Sequence, residues 1–394
     1  MLLKKSPCRG RPPQESGERP GVDMIPSSCL VHTDWENFRH NLRILMRKGK
    51  SLMPVIKANA YGHGVLPASE VLSELGIDWA AIGTLEEGRQ VRDHGYRGNI
   101  VALLSFTPGQ EDVSLALEKN IIPLVHDWKG LKAFDAIMSS RHGSVLDIAV
   151  KTDTGMGRLG FSPEEIEEAA SFIAASGRLR PVLLISHLAV ADEPEHDEYT
   201  ARQADLFDRA AETLRRIFPD LRCSLGNTAG LVSHTERCGD ICRPGLAIYG
   251  YNPQFGTSRE GDCEGLLPVM SVSVPLISVR TLRKGESLGY GLSYTAESDR
   301  LVGWAAIGYA DGYRRNPSPE ACMCVNGVRV PVIGRVAMQT TCLDLTDLPF
   351  SPAPGDTVHV LGGPGHAVSA QDLADWWGTI PYEVTCLLGK NTRN

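Results

Sequence analysis

No sign of charge dominates this sequence: 40 lysines and arginines stand against 47 aspartates and glutamates, a net charge of -7. That balance offers no basic patch for a nucleic-acid backbone. Long apolar runs are missing too, so no stretch has the roughly 20 residues that a membrane-spanning helix needs. The ten cysteines (Cys8, Cys29, Cys223, Cys238, Cys242, Cys263, Cys322, Cys324, Cys342 and Cys386) are scattered. None falls in the paired spacing of a zinc site or a disulfide framework. No metal is expected, and reduced thiols in the cytoplasm are the simpler reading. The opening stretch MLLKKSPCRGRPPQESGERPG is basic, rich in proline and glycine, and lacks the apolar centre of a secretory signal. It reads as a disordered tail over residues 1–27, with Met24 as a second candidate start.

What is present is an ordinary globular balance, 42% hydrophobic and 22% charged residues, enough to bury a large core. From residue 30 to 250, apolar runs alternate with helical patterns. The strand candidates are Met53–Ile56, Trp79–Gly83, Ile100–Leu104, Ile121–Val125, Val145–Val150, Pro181–Ile185, Leu221–Leu225 and Ile241–Ile248. LEEGRQVRDHG and PEEIEEAASFIAASG open on acidic residues and close on glycine, as helix ends prefer. DEYTARQADLFDRAAETLRRIF is a longer amphipathic helix. Eight strands alternating with helices fit a TIM-type (β/α)8 barrel over residues 28–265. An open doubly wound sheet is the alternative, but no GxGxxG follows the first strand. Residues 266–394 change character, with short strands in LVGWAAIGYADGY, ACMCVNGVRVPVIGRVAM, QTTCLDL and DTVHVLGG. Asn-Gly in VNGV favours a tight hairpin turn. This is a mainly β C-terminal domain, and the segment around Ser28–His32 is a candidate to pair into it.

In a barrel, chemistry sits at the C-terminal ends of the strands. VIKANAYGHG, from Val55 to Gly64, places Lys57 directly after the first strand. A lysine there can bond covalently to a carbonyl cofactor if its surroundings lower its pKa. Tyr61 follows one helical turn on, where its phenol can meet a phosphate. The bland reading is a solvated lysine at a strand end.

VIKANAYGHG resembles the pyridoxal-phosphate lysine motif of the alanine racemase family. VKTDTGMGRLG, SHLAVADE, GNTAG, RPGLAIYG, LGYGLSYTA, IGYADGY, IGRVAM and IPYEVTC resemble further blocks of that family, in the family's order. The resemblance implies a pyridoxal-phosphate-dependent isomerase interconverting L- and D-alanine, as in D-alanine biosynthesis. It implies Lys57 as the cofactor-bearing lysine and one base, and Tyr290 as the second. Racemisation needs a base on each face of a planar carbon. A free tyrosine, with a pKa near 10, is a poor base at neutral pH, and the resemblance names His187 and Arg243 as the network that makes it usable. Arg243 stands where many such enzymes place a carboxylate against the cofactor's ring nitrogen. Tyr61, Asn227, Thr228, Gly245, Leu246 and Tyr382 correspond to the phosphate site; a plain helix cap is the alternative for Asn227 and Thr228. Arg158, Tyr309, Arg335 and Met338 correspond to substrate contacts. Lys151 corresponds to a lysine carried as a carbamate; an unmodified surface lysine is the other reading.

Two positions depart from the family pattern. Gln339 follows Met338 where an acidic residue is usual, and Thr228 replaces a common serine. Gln339 raises serine or broader amino-acid racemisation as an alternative, and a pyridoxal-phosphate decarboxylase is a third. The resemblance further implies a homodimer in which Lys57 and Tyr290 of one site come from different chains. Making D-alanine and degrading it would use the same residues.

Overall fold

The computed structural model describes residues 29–104 and 106–391. The predicted tail over residues 1–27 and the thiol of Cys8 lie outside them. The chain begins with β1 (Leu30–Thr33), followed by barrel strands β2 (Ser51–Leu52), β3 (Trp79–Ile82), β4 (Asn99–Ala102), β5 (Ile121–Val125), β6 (Leu146–Lys151), β7 (Leu179–Ile185), β8 (Arg222–Ser224) and β9 (Ile241–Cys242). Strands β3 to β8 form one parallel sheet in sequence order, and β9 pairs in parallel with β2. Two links close the ring. Val55 bridges Ala81 of β3, and the Arg243 N–H donates to the Gly226 carbonyl at 2.8 Å. The strands read as near-continuous apolar runs because helices cover one face and the barrel core fills the other; all five residues of β5 are buried.

The predicted helices form as their caps dictate. Thr84 and Glu87 build a reciprocal capping box on Leu85–Asp93, which satisfies the first free N–H groups. Ile166–Ser176 ends on Gly177 in the left-handed region, and Asp197–Ile217 buries Phe207, Ala211 and Leu214 on one face.

The expected strand limits shift by one or two residues at most ends, and two strands depart further. The first is Ser51–Leu52 rather than Met53–Ile56, because Pro54 has no N–H for a ladder. Its chain still runs along β9 and β3: Met53 donates to Cys242, Val55 to Pro244 and Ile56 to Ala81. The last ends at Cys242 rather than Ile248, since Pro244 and Gly245 break it and Leu246–Tyr249 turns into a 3-10 helix.

The second part contains β10 (Met270–Leu282), β11 (Ser287–Leu288), β12 (Tyr294–Thr295), β13 (Arg300–Ala305), β14 (Cys322–Val325), β15 (Val328–Ile333), β16 (Thr341–Asp344) and β17 (Thr357–Leu361). β10, β13, β16, β15, β14 and β17 pair in that order, and β17 returns to β10. β1 joins this sheet, with Leu30 opposite Ser273. Asn326 and Gly327, with φ of 49° and 85°, make the tight turn between β14 and β15.

The helix Pro381–Leu388 docks the C-terminal part onto the barrel mouth. At Gly62 the contact is backbone to backbone. A Cβ on Gly62, whose φ is +84°, would lie 2.6 Å from the Thr385 carbonyl and 2.8 Å from Gly389 Cα. Gly62→Ala therefore meets both strain and a clash and should lower the unfolding free energy by about 2–4 kcal/mol. A thermal midpoint equal to wild type would show that the two backbones are free to move apart.

Candidate active site

The chain leaves β2 through Pro54 and enters an unusual turn. Ala58, Asn59, Ala60 and Tyr61 all have φ between 52° and 54°. For L-residues this left-handed conformation costs roughly 1–2 kcal/mol each, so the surroundings must impose it. Gly62 (φ 84°) ends the turn, its N–H donating to Ala58 and Asn59. The Asn59 side chain accepts from Val65 N at 2.8 Å. The Tyr61 ring packs on Tyr249 with centroids 4.9 Å apart and on Tyr382 at 5.6 Å. Tyr249 stacks on His63 at 4.4 Å and donates to the Val55 carbonyl at 2.9 Å.

The turn delivers Lys57 into a cavity of about 600 Å³ at the C-terminal ends of the strands. Its walls include Lys57, Tyr61, Lys151, Arg158, His187, Asn227, Thr228, Arg243, Gly245 and Tyr382, so ten of the predicted residues meet there. Leu246 is buried at the start of the 3-10 turn beside Gly245. Four of the lining residues are lysine or arginine and none is acidic. Such a cavity attracts anions.

Burial tunes the two lysines and Arg243. The Lys57 amine is held below the ordinary lysine value, first by burial and then by Arg158, with Glu87 acting in the opposite direction. Lys151, expected as a surface lysine unless modified, is instead only 6% exposed; burial, Arg243 and Arg158 bring its pKa down to about 7. Arg243 is 4% exposed and lowered by burial to about 10, so it stays charged at neutral pH. Its guanidinium donates to the Ser224 carbonyl and hydroxyl at 2.7 and 2.6 Å, to the carbonyls of Ser186 and Leu225, and to His187 Nδ1 at 3.1 Å. An arginine can only donate, so His187 Nδ1 accepts. Burial and Arg243 also push the imidazole well below its ordinary value, which leaves a neutral ring. Gln203 fixes this loop, donating to the His187 carbonyl and accepting from Ala189 N.

At the other end of the cavity, Asn227 caps the Thr228–Ser233 helix through Gly230 N. The Thr228 hydroxyl accepts from Gly245 N at 2.9 Å. A Cβ at Gly245 would sit 3.0 Å from the Tyr61 hydroxyl, so glycine leaves this end open. Burial pushes the Tyr382 phenol up to about 12 and raises Tyr61 further, so both remain neutral donors.

The remaining candidates lie elsewhere. Tyr290, 66% exposed, lines a different pocket on the C-terminal part with Gly289, Trp304, Arg335 and Thr340. Tyr309 and Met338 are exposed and adjacent through Tyr309 N to the Ala337 carbonyl and Ala310 N to the Met338 carbonyl. None of these four lines the Lys57 cavity. Sequence reasoning missed Glu87, whose capping motif signalled only a helix start. It also missed Ser186, which opens the SHLAVADE block without a role of its own being read from it, and Ser224, for which no motif speaks.

The profile of the alanine racemase N-terminal domain matches residues 33–253, and that of its C-terminal domain matches residues 269–394. This chain belongs to the alanine racemase family. An alanine racemase of Nitratidesulfovibrio vulgaris strain Miyazaki F is 44% identical over 90% of this chain and 94% of its own length. The catabolic alanine racemase of Pseudomonas putida is 34% identical over 94% and 99%. Among solved structures, the alanine racemase of Streptomyces lavendulae superposes with a TM-score of 0.84 at 31% identity, covering 93% of this chain and 96% of that one. The alanine racemase of Bartonella henselae, solved with covalently bound pyridoxal phosphate, gives 0.82 at 25% identity, covering 92% and 98%. Family membership thus rests on both parts of the chain, the barrel with its cavity and the β-rich part with Tyr290.

The buried Lys151 yields a pH-dependent expectation. Its folded pKa of about 7 lies below the ordinary 10.5. Below pH 7 both folded and unfolded chains carry the proton, and the full burial penalty applies. Between the two values only the unfolded chain keeps it, so stability rises with pH there. In bicarbonate-free buffer, Lys151→Met should be more stable than wild type at pH 6 by on the order of 3 kcal/mol. The gain should shrink towards pH 10. Unfolding curves at pH 6, 8 and 10 that keep a constant difference would contradict a neutralised Lys151.

Proposed function

We propose that this protein interconverts L- and D-alanine with pyridoxal 5'-phosphate as cofactor, using Lys57 of one chain and Tyr290 of a partner chain as the two bases. The observation that carries this reading is the Lys57 cavity, with a half-buried amine at the C-terminal end of the barrel, among cations and with no acidic wall. An anionic aldehyde fits that chemistry. The amine is the group an aldehyde condenses with. Tyr61, only 9% exposed, offers a hydroxyl that makes no hydrogen bond among the described residues, a ready donor for phosphate. Asn227, Thr228, Gly245, Leu246 and Tyr382 would hold the same group. When bound, pyridoxal phosphate supplies a conjugated acceptor for the electron pair left at the α-carbon.

The chain's own residues supply the rest. Lys57, with its pKa lowered by burial, can hold or release a proton on one face of the α-carbon. The partner's Tyr290 would serve the other face. Arg243 keeps its own proton and can only donate, so it would leave the ring nitrogen unprotonated. That weakens the electron sink and limits side reactions. Arg158 would bind the substrate carboxylate, with Tyr309, Arg335 and Met338 of the partner around the entrance. Lys151 as a carbamate would set a negative charge beside Arg158 and Arg243, which a buried neutral amine does not provide. The relatives named above are alanine racemases, so alanine is preferred here to serine.

A homodimer with shared sites accounts for an exposed Tyr290 and Arg335 far from their proposed work, and both chains then contribute equally. Eight cysteines among the described residues, from Cys223 to Cys386, carry free thiols, which suits a reducing compartment such as the cytoplasm. No helix among the described residues is long and apolar enough to cross a membrane.

Purified protein loaded with pyridoxal phosphate should convert L-alanine to D-alanine. Lys57→Ala and Tyr290→Ala should each fall at least about 100-fold. Unfolded together in equal amounts and refolded, half the dimers would be mixed, each with one intact site of two. The mixture should regain about one quarter of wild-type activity. A refolded mixture as inactive as either variant would place both bases in one chain.

A further inference from the structure

Glu87 has no part in the function proposed above, yet its carboxylate touches the backbone on both sides of the Lys57 entrance. Oε1 accepts from Ala58 N at 2.8 Å and, at a longer 3.4 Å, from Asn59 N. Oε2 accepts from Gly83 N at 2.7 Å and Thr84 N at 3.3 Å. Ala58 and Asn59 are the first two residues of the left-handed turn, and Gly83 directly follows β3. We propose that Glu87 is a positioning residue that clamps the left-handed turn to the end of β3 and so aims the Lys57 amine into the cavity. The proposal rests on the reading of Lys57 as the cofactor-bearing amine.

Three features support the clamp. First, the turn holds four successive non-glycine residues at positive φ, a conformation that persists only when the surroundings over-determine it. Second, both carboxylate oxygens are engaged, one on each segment. Glutamine has a single acceptor oxygen, so either the turn or the strand end would face an NH2 group instead. Third, space is reserved for the clamp. A Cβ on Gly83 would lie 2.6 Å from Glu87 Oε2 and 3.6 Å from Lys57 Cβ, so a side chain at residue 83 would displace the carboxylate. The capping box on Leu85–Asp93 accounts for the Oε2 bonds alone; the bonds from Ala58 and Asn59 are additional to any helix cap.

Three proteins test this: wild type, Glu87→Gln, and Glu87→Gln combined with Ala58→Gly. Glycine adopts positive φ without the steric cost, so it should return part of what the clamp supplies. The cofactor-free proteins are mixed with pyridoxal phosphate, and capture at Lys57 is followed by absorbance and mapped after borohydride reduction. Glu87→Gln should capture at least about 10-fold more slowly than wild type, because small displacements of a reacting group cost large factors. The added glycine should recover at least about 3-fold of that loss. Capture by Glu87→Gln at the wild-type rate, or a glycine without effect, overturns the proposal. Should Glu87→Gln fail to fold, folding restored by Ala58→Gly supports the clamp, and a double variant equally unfolded overturns it. Wild-type protein that captures nothing at Lys57 fails the functional reading instead. The clamp is then read from acetylation of Lys57 by N-hydroxysuccinimide acetate: a rate altered in Glu87→Gln and reversed by glycine supports it, and an unaltered rate overturns it.

Discussion

The left-handed turn from Ala58 to Tyr61 is the constraint on which the rest of this structure depends. Its backbone is unfavourable for every residue in it, so its neighbours must hold it. Those neighbours come from each part of the molecule. Glu87 binds it to the end of β3, Tyr249 packs on it from the 3-10 helix that follows β9, and the Pro381–Leu388 helix closes on it where Gly62 meets Gly389. The same turn puts Lys57 in the cavity and sets Tyr61 beside Tyr382. Barrel, C-terminal part and site therefore share a junction, and a disturbance there reaches all three.

Charge is the second organising factor. The cavity gathers Lys57, Lys151, Arg158 and Arg243 without an acidic wall. Burial resolves the resulting repulsion unevenly. The two amines lose proton affinity, whereas the Arg243 guanidinium remains charged because backbone carbonyls, the Ser224 hydroxyl and His187 surround it. The outcome is a fixed guanidinium charge at Arg243 beside two amines whose protons can move. An amino-acid racemase needs that division: permanent charge to hold anions, and a neutral amine able to exchange a proton.

The barrel was legible in the sequence because its strands are apolar runs bounded by caps and glycines, and Asn326–Gly327 announced its hairpin. The strand limits were less so near Pro54 and Pro244, where proline removes a ladder donor while tertiary bonds keep the chain in line. The left-handed turn could not be read at all. Ala58 and Ala60 carry no local signal for positive φ and a single Asn59 gives only a weak one; the conformation is held by Glu87 and by packing, which are distant in sequence. Lys57, Arg243 and Tyr382 were found by motif and by their places at strand and helix ends, and the cavity unites them. The separation of Tyr290 and Arg335 from that cavity is a property of the folded chain that no local pattern encodes, although the resemblance anticipated a second chain.

The central claim is that Lys57, and no other amine in the cavity, bonds the cofactor. Reconstituting the protein with pyridoxal phosphate, reducing it with borohydride and sequencing the labelled peptide by mass spectrometry tests it most directly. The account predicts a single adduct on Lys57 within VIKANAYGHG. An adduct on Lys151, or no stable adduct under conditions where the protein is folded, would contradict it.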